Sequence, residues 1–203
     1  MATARRLPLP AILIALWALC LVLLPFRITT IYSGLPANPL FLHVPVIFIP
    51  LTGLAAVIAV VRPQLLERYG IALALTTIVT LAGTILTVDA GSALRARLGI
   101  GGGGGGGASG FGGPGGGGGE ASLIRQHAQA GHMVEFLMIA FTLAVIASVL
   151  RPRSRDGAAL RILTALLGVA CIFFVIKAGD LGAKAVWQGR LNGGGGPGGF
   201  GSP

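Results

Sequence analysis

The chain has 203 residues, 54% of them hydrophobic and 10% charged, and a mean hydropathy of +0.85; a soluble domain of this size carries roughly 25% charged residues. Fifteen Lys and Arg against six Asp and Glu leave a formal charge of +9. On a soluble protein that balance points to nucleic acid, but here the bases fall between long apolar runs, where they set topology and meet anionic headgroups, so nucleic-acid binding is excluded and an integral membrane protein is expected.

A helix needs about 20 apolar residues to cross the hydrocarbon, and five runs approach that length. The first is Leu9 to Phe26, preceded by Arg5 and Arg6. It lacks a small-x-small cleavage site and is expected to be a retained anchor rather than a signal peptide. The second, Leu40 to Val61, is stopped by Arg62-Pro63, and Pro45 predicts a helix start near His43, because proline suits the first turn. The third, Ile71 to Val88, ends at Asp89. The fourth, Met133 to Leu150, is stopped by Arg151-Pro152-Arg153. The fifth begins near Leu160, is strongly apolar to Ile176 and continues as a more polar helix towards Trp187. Gly53, Ala55, Ala56, Gly83 and Gly168 predict close helix packing. The fold class is therefore all-α: a polytopic transmembrane bundle of about five spans, one N-terminal anchor plus a four-helix bundle.

Arg5, Arg6, Arg62, Arg68, Arg151, Arg153, Arg155 and Arg161 fall on one side of such a bundle. Arg27, Arg95, Arg97, Arg125, Lys177, Lys184 and Arg190 fall on the other. The tight flanks of the short loops mark the first set as cytoplasmic. The N-terminus is then inside, and the glycine-rich loop and C-terminus are outside. Gly99 to Gly119 and the tail from Asn192 are nearly pure glycine, which loses too much entropy on ordering to fold alone. They predict two outer linkers, with Phe111 and Phe200 as candidate anchors for a partner. The domains follow: 1–37 an anchor with its outer loop, 38–98 the first pair of spans, 99–120 the glycine-rich loop, 121–191 the second pair, and 192–203 the tail.

Cys20 and Cys171 lie within the first and fifth spans as small hydrophobes. No Cys-x-x-Cys occurs, which excludes sulfur-only metal sites. The glycine loop has no Lys-Ser/Thr after it, so it is no phosphate-binding loop. There is no Gly-x-Ser-x-Gly and no His-Glu-x-x-His, and no independent catalytic activity is expected.

Ionisable groups in or near spans are costly and are functional candidates. Here they collect at one end: His43, Asp89, His127, His132, Glu135, Lys177, Asp180 and Lys184. His132 and Glu135 are three apart and share a helix face, and Lys177, Asp180 and Lys184 are spaced to neutralise one another. Counted from the span ends, His43 and His132 lie at similar depth. Two histidines on different helices at one depth can clamp a haem iron, with His127 a further candidate. Alternatively, His43, His127, His132, Glu135 and Asp89 supply donors for Zn²⁺ or Cu²⁺.

Asn38-Pro39-Leu40-Phe41-Leu42-His43-Val44-Pro45 resembles the His-Pro-x-x-Val-His-Phe-Pro signature of an uncharacterised bacterial family of four-span membrane proteins. Ala82-Gly83 through Asp89, His127-Ala128, and Gly179-Asp180-Leu181-Gly182 with Val186-Trp187-Gln188-Gly189 are similar to its later motifs, in the same order. The resemblance spans about Asn38 to Leu191. Its signature positions carry over to His43, Asp89 and His127, but Asn38 stands where the family has its first His. That family is a domain of unknown function, loosely grouped with membrane cytochrome b proteins. The resemblance implies a bacterial inner (cytoplasmic) membrane and a four-helix bundle able to hold haem b. The functional expectation is an accessory subunit of a membrane complex, of electron-transport class, partnered by the lipid bilayer and by other subunits or further copies of itself. The alternatives are a b-type haem redox protein and a metal-binding protein.

Overall fold

A computed structural model describes residues 9–23, 38–97, 119–151 and 157–191. Its elements are α1 (Leu9–Leu23), α2 (Asn38–Phe41), α3 (His43–Val61), α4 (Pro63–Arg97), α5 (Gly119–Leu150) and α6 (Gly157–Leu191), with no strand among the described residues. This is the expected all-α bundle of about five apolar helices. Helices α3 to α6 are long and apolar enough to cross a membrane, which makes this a multi-pass membrane protein. Helix α1 is equally apolar but has 15 residues, or about 22 Å, less than the ~30 Å of hydrocarbon. The glycine-rich segment 98–118, the tail from 192 and their candidate anchors Phe111 and Phe200 lie outside the described residues.

The local chemistry explains the breaks. Proline disfavours the helical region for the residue before it. Arg62 accordingly leaves it, with φ −128° and ψ 75°, while its N–H still donates to Ile58 O at 2.8 Å. Pro63 then opens α4, where a missing N–H costs nothing. At the other end His43 opens α3 as expected, and Pro45 occupies its first turn.

Helix α3 packs on α4 and α6, and α5 packs on the same two, so the four long helices close a ring in chain order. Small residues set the closest approaches. A methyl added at Gly168 would lie 3.0 Å from Gly53 Cα, and one at Gly83 would collide with Val44. The core between the helices is filled by Ile49, Leu81, Met138, Phe141, Val145 and Cys171, all essentially without exposure. Helix α1 joins this core instead of standing apart. Its Leu13 is fully buried, and the Trp17 indole N–H donates to Ile139 O at 3.4 Å.

Polar groups in the core are satisfied locally. On α4 the hydroxyls of Thr76, Thr77, Thr80, Thr84 and Thr87 each donate to a carbonyl three or four residues back, at 2.7–2.8 Å. This pairing lets threonine enter a bilayer bundle at little cost.

The helices do not end together. Val44 meets Gly83, and Val88 faces Gly131, which places Gly83 and Phe136 at the level where α3 begins. Gly53 meets Gly168, which brings Lys177 to the same level. The 19 residues of α3 span about 28 Å, close to the thickness of the hydrocarbon. Beyond that level α4 continues to Arg97, α6 to Leu191 and α5 back to Gly119, a further ~20–25 Å for each. Three helices therefore extend past the start of α3 as a stub at what is here termed the glycine end. The opposite end, with Arg62, Arg151 and Arg161, is the arginine end. A second small core, Ala130, Ala178 and Leu181 with Leu123 against them, holds the stub together.

Candidate functional site

All the sequence-predicted site residues lie at the glycine end, where His132, Glu135 and Asp89 are neighbours, while His43 stands on α3 and His127 turns to α6. His43 is exposed at the start of α3, and α3 does not pack directly on α5, which carries His127 and His132. The expected match in depth is also lost. With Phe136 level with α3's first turn, His132 stands about 6 Å and His127 about 13 Å further out. His132 turns its side chain to the outside, 61% exposed, where Nδ1 lies 3.4 Å from Glu135 Oε2. Glu135 thus finds a partner in its own helix, as its spacing predicts.

His127 has a different partner. Its Nδ1 is 2.8 Å from the carbonyl oxygen of Ala178 on α6. A carbonyl only accepts, so Nδ1 carries the donated proton, and in the neutral ring the lone pair is then on Nε2. The ring lies against Gly182, where an added methyl would sit 3.1 Å from Cε1 and 3.2 Å from Nδ1. Glycine is required here because the ring fills the space a side chain would take. His127 and Gly182 together fasten α5 to α6 within the stub. The sequence signal was the pairing of a histidine with a Gly-x-x-Gly helix, but the partner carbonyl could not be read from it.

Asp89, near the end of the apolar part of α4, has a buried Oδ2 without a hydrogen-bond partner, and its carboxylate interacts electrostatically with Glu135. On α6, Lys184 Nζ pairs with Asp180 Oδ2 at 2.7 Å. Lys177 departs from the expected triad and lies 5.8 Å over the ring of Phe174. Among the described residues no group of three or more His, Cys, Asp or Glu side chains is placed to hold a metal ion. Ile85, Val134 and Met138 belong to the packed core between the helices.

What the arrangement can do chemically is bind at its outer surface. The stub exposes Val186 and Trp187 on α6 beside the Asp180–Lys184 pair. No family model, curated protein or solved structure matches this chain. The motif resemblance around His43, Asp89, His127 and Gly179–Gly182 rests on those short motifs alone.

Proposed function

We propose that this chain is an accessory subunit of a larger membrane complex, of electron-transport class. Its four-helix bundle anchors the stub, and the stub docks a partner. The observation that supports this is the stub itself: three helices continuing ~20 Å past the start of α3, with Val186 and Trp187 exposed on α6. Apolar groups in that position are characteristic of the centre of a protein interface. The electron-transport class rests on the motif resemblance.

The test is photo-crosslinking in native membranes from a probe residue replacing Trp187, compared with one replacing Ile162 near the arginine end. An adduct with a defined second polypeptide from position 187, together with co-purification of that polypeptide in mild detergent, is the expected result. A chain that runs alone in mild detergent and gives no adduct from 187 would overturn the assignment.

A second reading, a b-type haem redox protein, has one observation in its favour. His127 donates Nδ1–H to a carbonyl and leaves Nε2 available, the arrangement typical of ligand histidines. An oxidised and dithionite-reduced visible spectrum of the purified protein, with and without His127→Ala, decides it: a Soret band lost in the variant would support haem.

A further inference from the structure

Helix α6 packs on α3 and α5 with one side only. Its Thr164, Cys171, Ala178 and Leu181 are buried there. The opposite face carries Leu166, Val169, Phe173, Ile176 and Trp187, each 51–64% exposed. Their spacing alternates three and four residues, with Asp180 and Ala183, both exposed, completing the series between Ile176 and Trp187. That repeat of 3.5 residues keeps a seam turned to a neighbouring helix along its whole length. The open flank of α3 (Leu51, Leu54 and Ile58) is spaced in the same way, but it is wholly apolar and stops with its helix at His43. The α6 face continues into the stub, past an ion pair to an indole, which lipid tails alone do not match.

Three features of this face suit a second copy of the same chain. Copies inserted in one membrane share orientation and depth, so the apolar part of one stripe meets the apolar part of the other, and Trp187 meets Trp187, in register. Helices in a bilayer associate through close packing and polar contacts, and the face supplies both. Asp180 and Lys184, 2.7 Å apart and about half exposed, lie on the stripe and at its edge. A two-fold axis along the membrane normal sets each pair against its twin, where the opposite charges are self-complementary. The open side chains of the face amount to on the order of 800 Å² per chain, what each partner brings to a stable interface of standard size.

We infer that α6 is a self-association surface: two copies pair in parallel along the stripe from Leu166 to Trp187, so that the first partner met by the stub is a second copy of this chain. The inference rests on the reading of the stub as a docking surface. The test is photo-crosslinking of the full chain in native membranes holding two differently tagged copies, from a probe residue replacing Phe173, Trp187 or, on the open flank of α3, Leu54. A product joining the two tags is expected from 173 and 187, with about tenfold less from 54. In mild detergent, Leu166→Ala with Phe173→Ala should weaken pairing by about tenfold or more, while the unfolding midpoint of the separated chain stays unchanged. A different polypeptide captured from 187, with no product joining the tags, would overturn self-association and leave the docking role standing. Products joining the tags, with no other polypeptide co-purifying, would keep self-association and refute the accessory-subunit reading. Adducts with lipid alone from 173 and 187, or equal yields from 54 and 173, would overturn the inference.

Discussion

The contact between Gly53 and Gly168 makes a sharp prediction, because two opposing effects can be weighed. Replacing Gly168 by Ala removes backbone freedom from the unfolded chain, which by itself favours the helix by roughly 0.5–1 kcal/mol. The new methyl, however, would sit 3.0 Å from Gly53 Cα, 3.2 Å from Phe141 Cε2 and 3.3 Å from Gly53 O, whereas carbon contacts are most favourable at about 3.5–4.0 Å. Two of these atoms are backbone and cannot rotate away, so α3 must move off α6 as a body. Overpacking of this kind costs typically 1–3 kcal/mol, and Gly168→Ala should lose about 1–2 kcal/mol net. The control is Gly179→Ala on the same helix, where nothing lies within 4 Å; it should gain about 0.5–1 kcal/mol. Equilibrium unfolding in mixed detergent micelles measures both. Gly53→Ala should resemble Gly168→Ala. The double variant should cost less than the sum, since the first methyl has already parted the helices. If Gly168→Ala is as stable as Gly179→Ala, the close approach of α3 and α6 is wrong.

Two further outcomes follow from the stub. His127→Ala removes the bond to the Ala178 carbonyl, about 1 kcal/mol, and Gly182→Leu displaces the ring; both should raise amide hydrogen exchange over residues 178–191 and leave the core of the bundle unchanged, and equal protection in wild type and variants would refute the fastening role. Asp180→Asn removes an ion pair whose side chains are about half exposed, so the unfolding free energy should move by less than about 0.5 kcal/mol; a larger loss would mean that the pair is covered in the functional assembly.

Much of the membrane bundle was legible in the sequence because hydropathy and proline act locally. The apolar runs, the break at Arg62-Pro63 and the start at His43 each follow from residues within one turn of the event. Gly53, Gly83 and Gly168 were recognisable as packing residues, but their partners depend on register between helices distant in sequence. The α4 and α5 arms of the stub were not legible, whereas the α6 arm was read as a more polar continuation towards Trp187. Residues 119–132 and 178–191 mix Arg, Gln, His, Lys and Asp with small residues, and hydropathy reads that mixture as the end of a span. They are helical because neighbouring helices supply a core of Ala130, Ala178 and Leu181, a tertiary effect that overrides local signal. The relative depth of the histidines depends on the same tertiary effect. Counting from the ends of apolar runs assumes that helices end where hydropathy does, and α5 begins 14 residues before Met133.

Arg161 shows that phase along a helix carries information that charge counting discards. Taken as a positive residue near a span end, it is one more topological flank. Placed on the helix, it precedes Thr164, Gly168, Cys171 and Ala178 at alternating intervals of three and four or their multiples, in phase with the residues that α6 turns to the bundle. An arginine on the lipid side would extend its stem to the headgroups and need nothing else. An arginine in the inward phase cannot do so without passing between helices. The Nε of Arg161 is buried in the bundle and its side chain has a partner within the chain. The small side chains of Ala56 and Ala59 on the facing helix line the small cavity beside it. The same period that builds the α3–α6 contact at Gly168 therefore also delivers a charge to the arginine end.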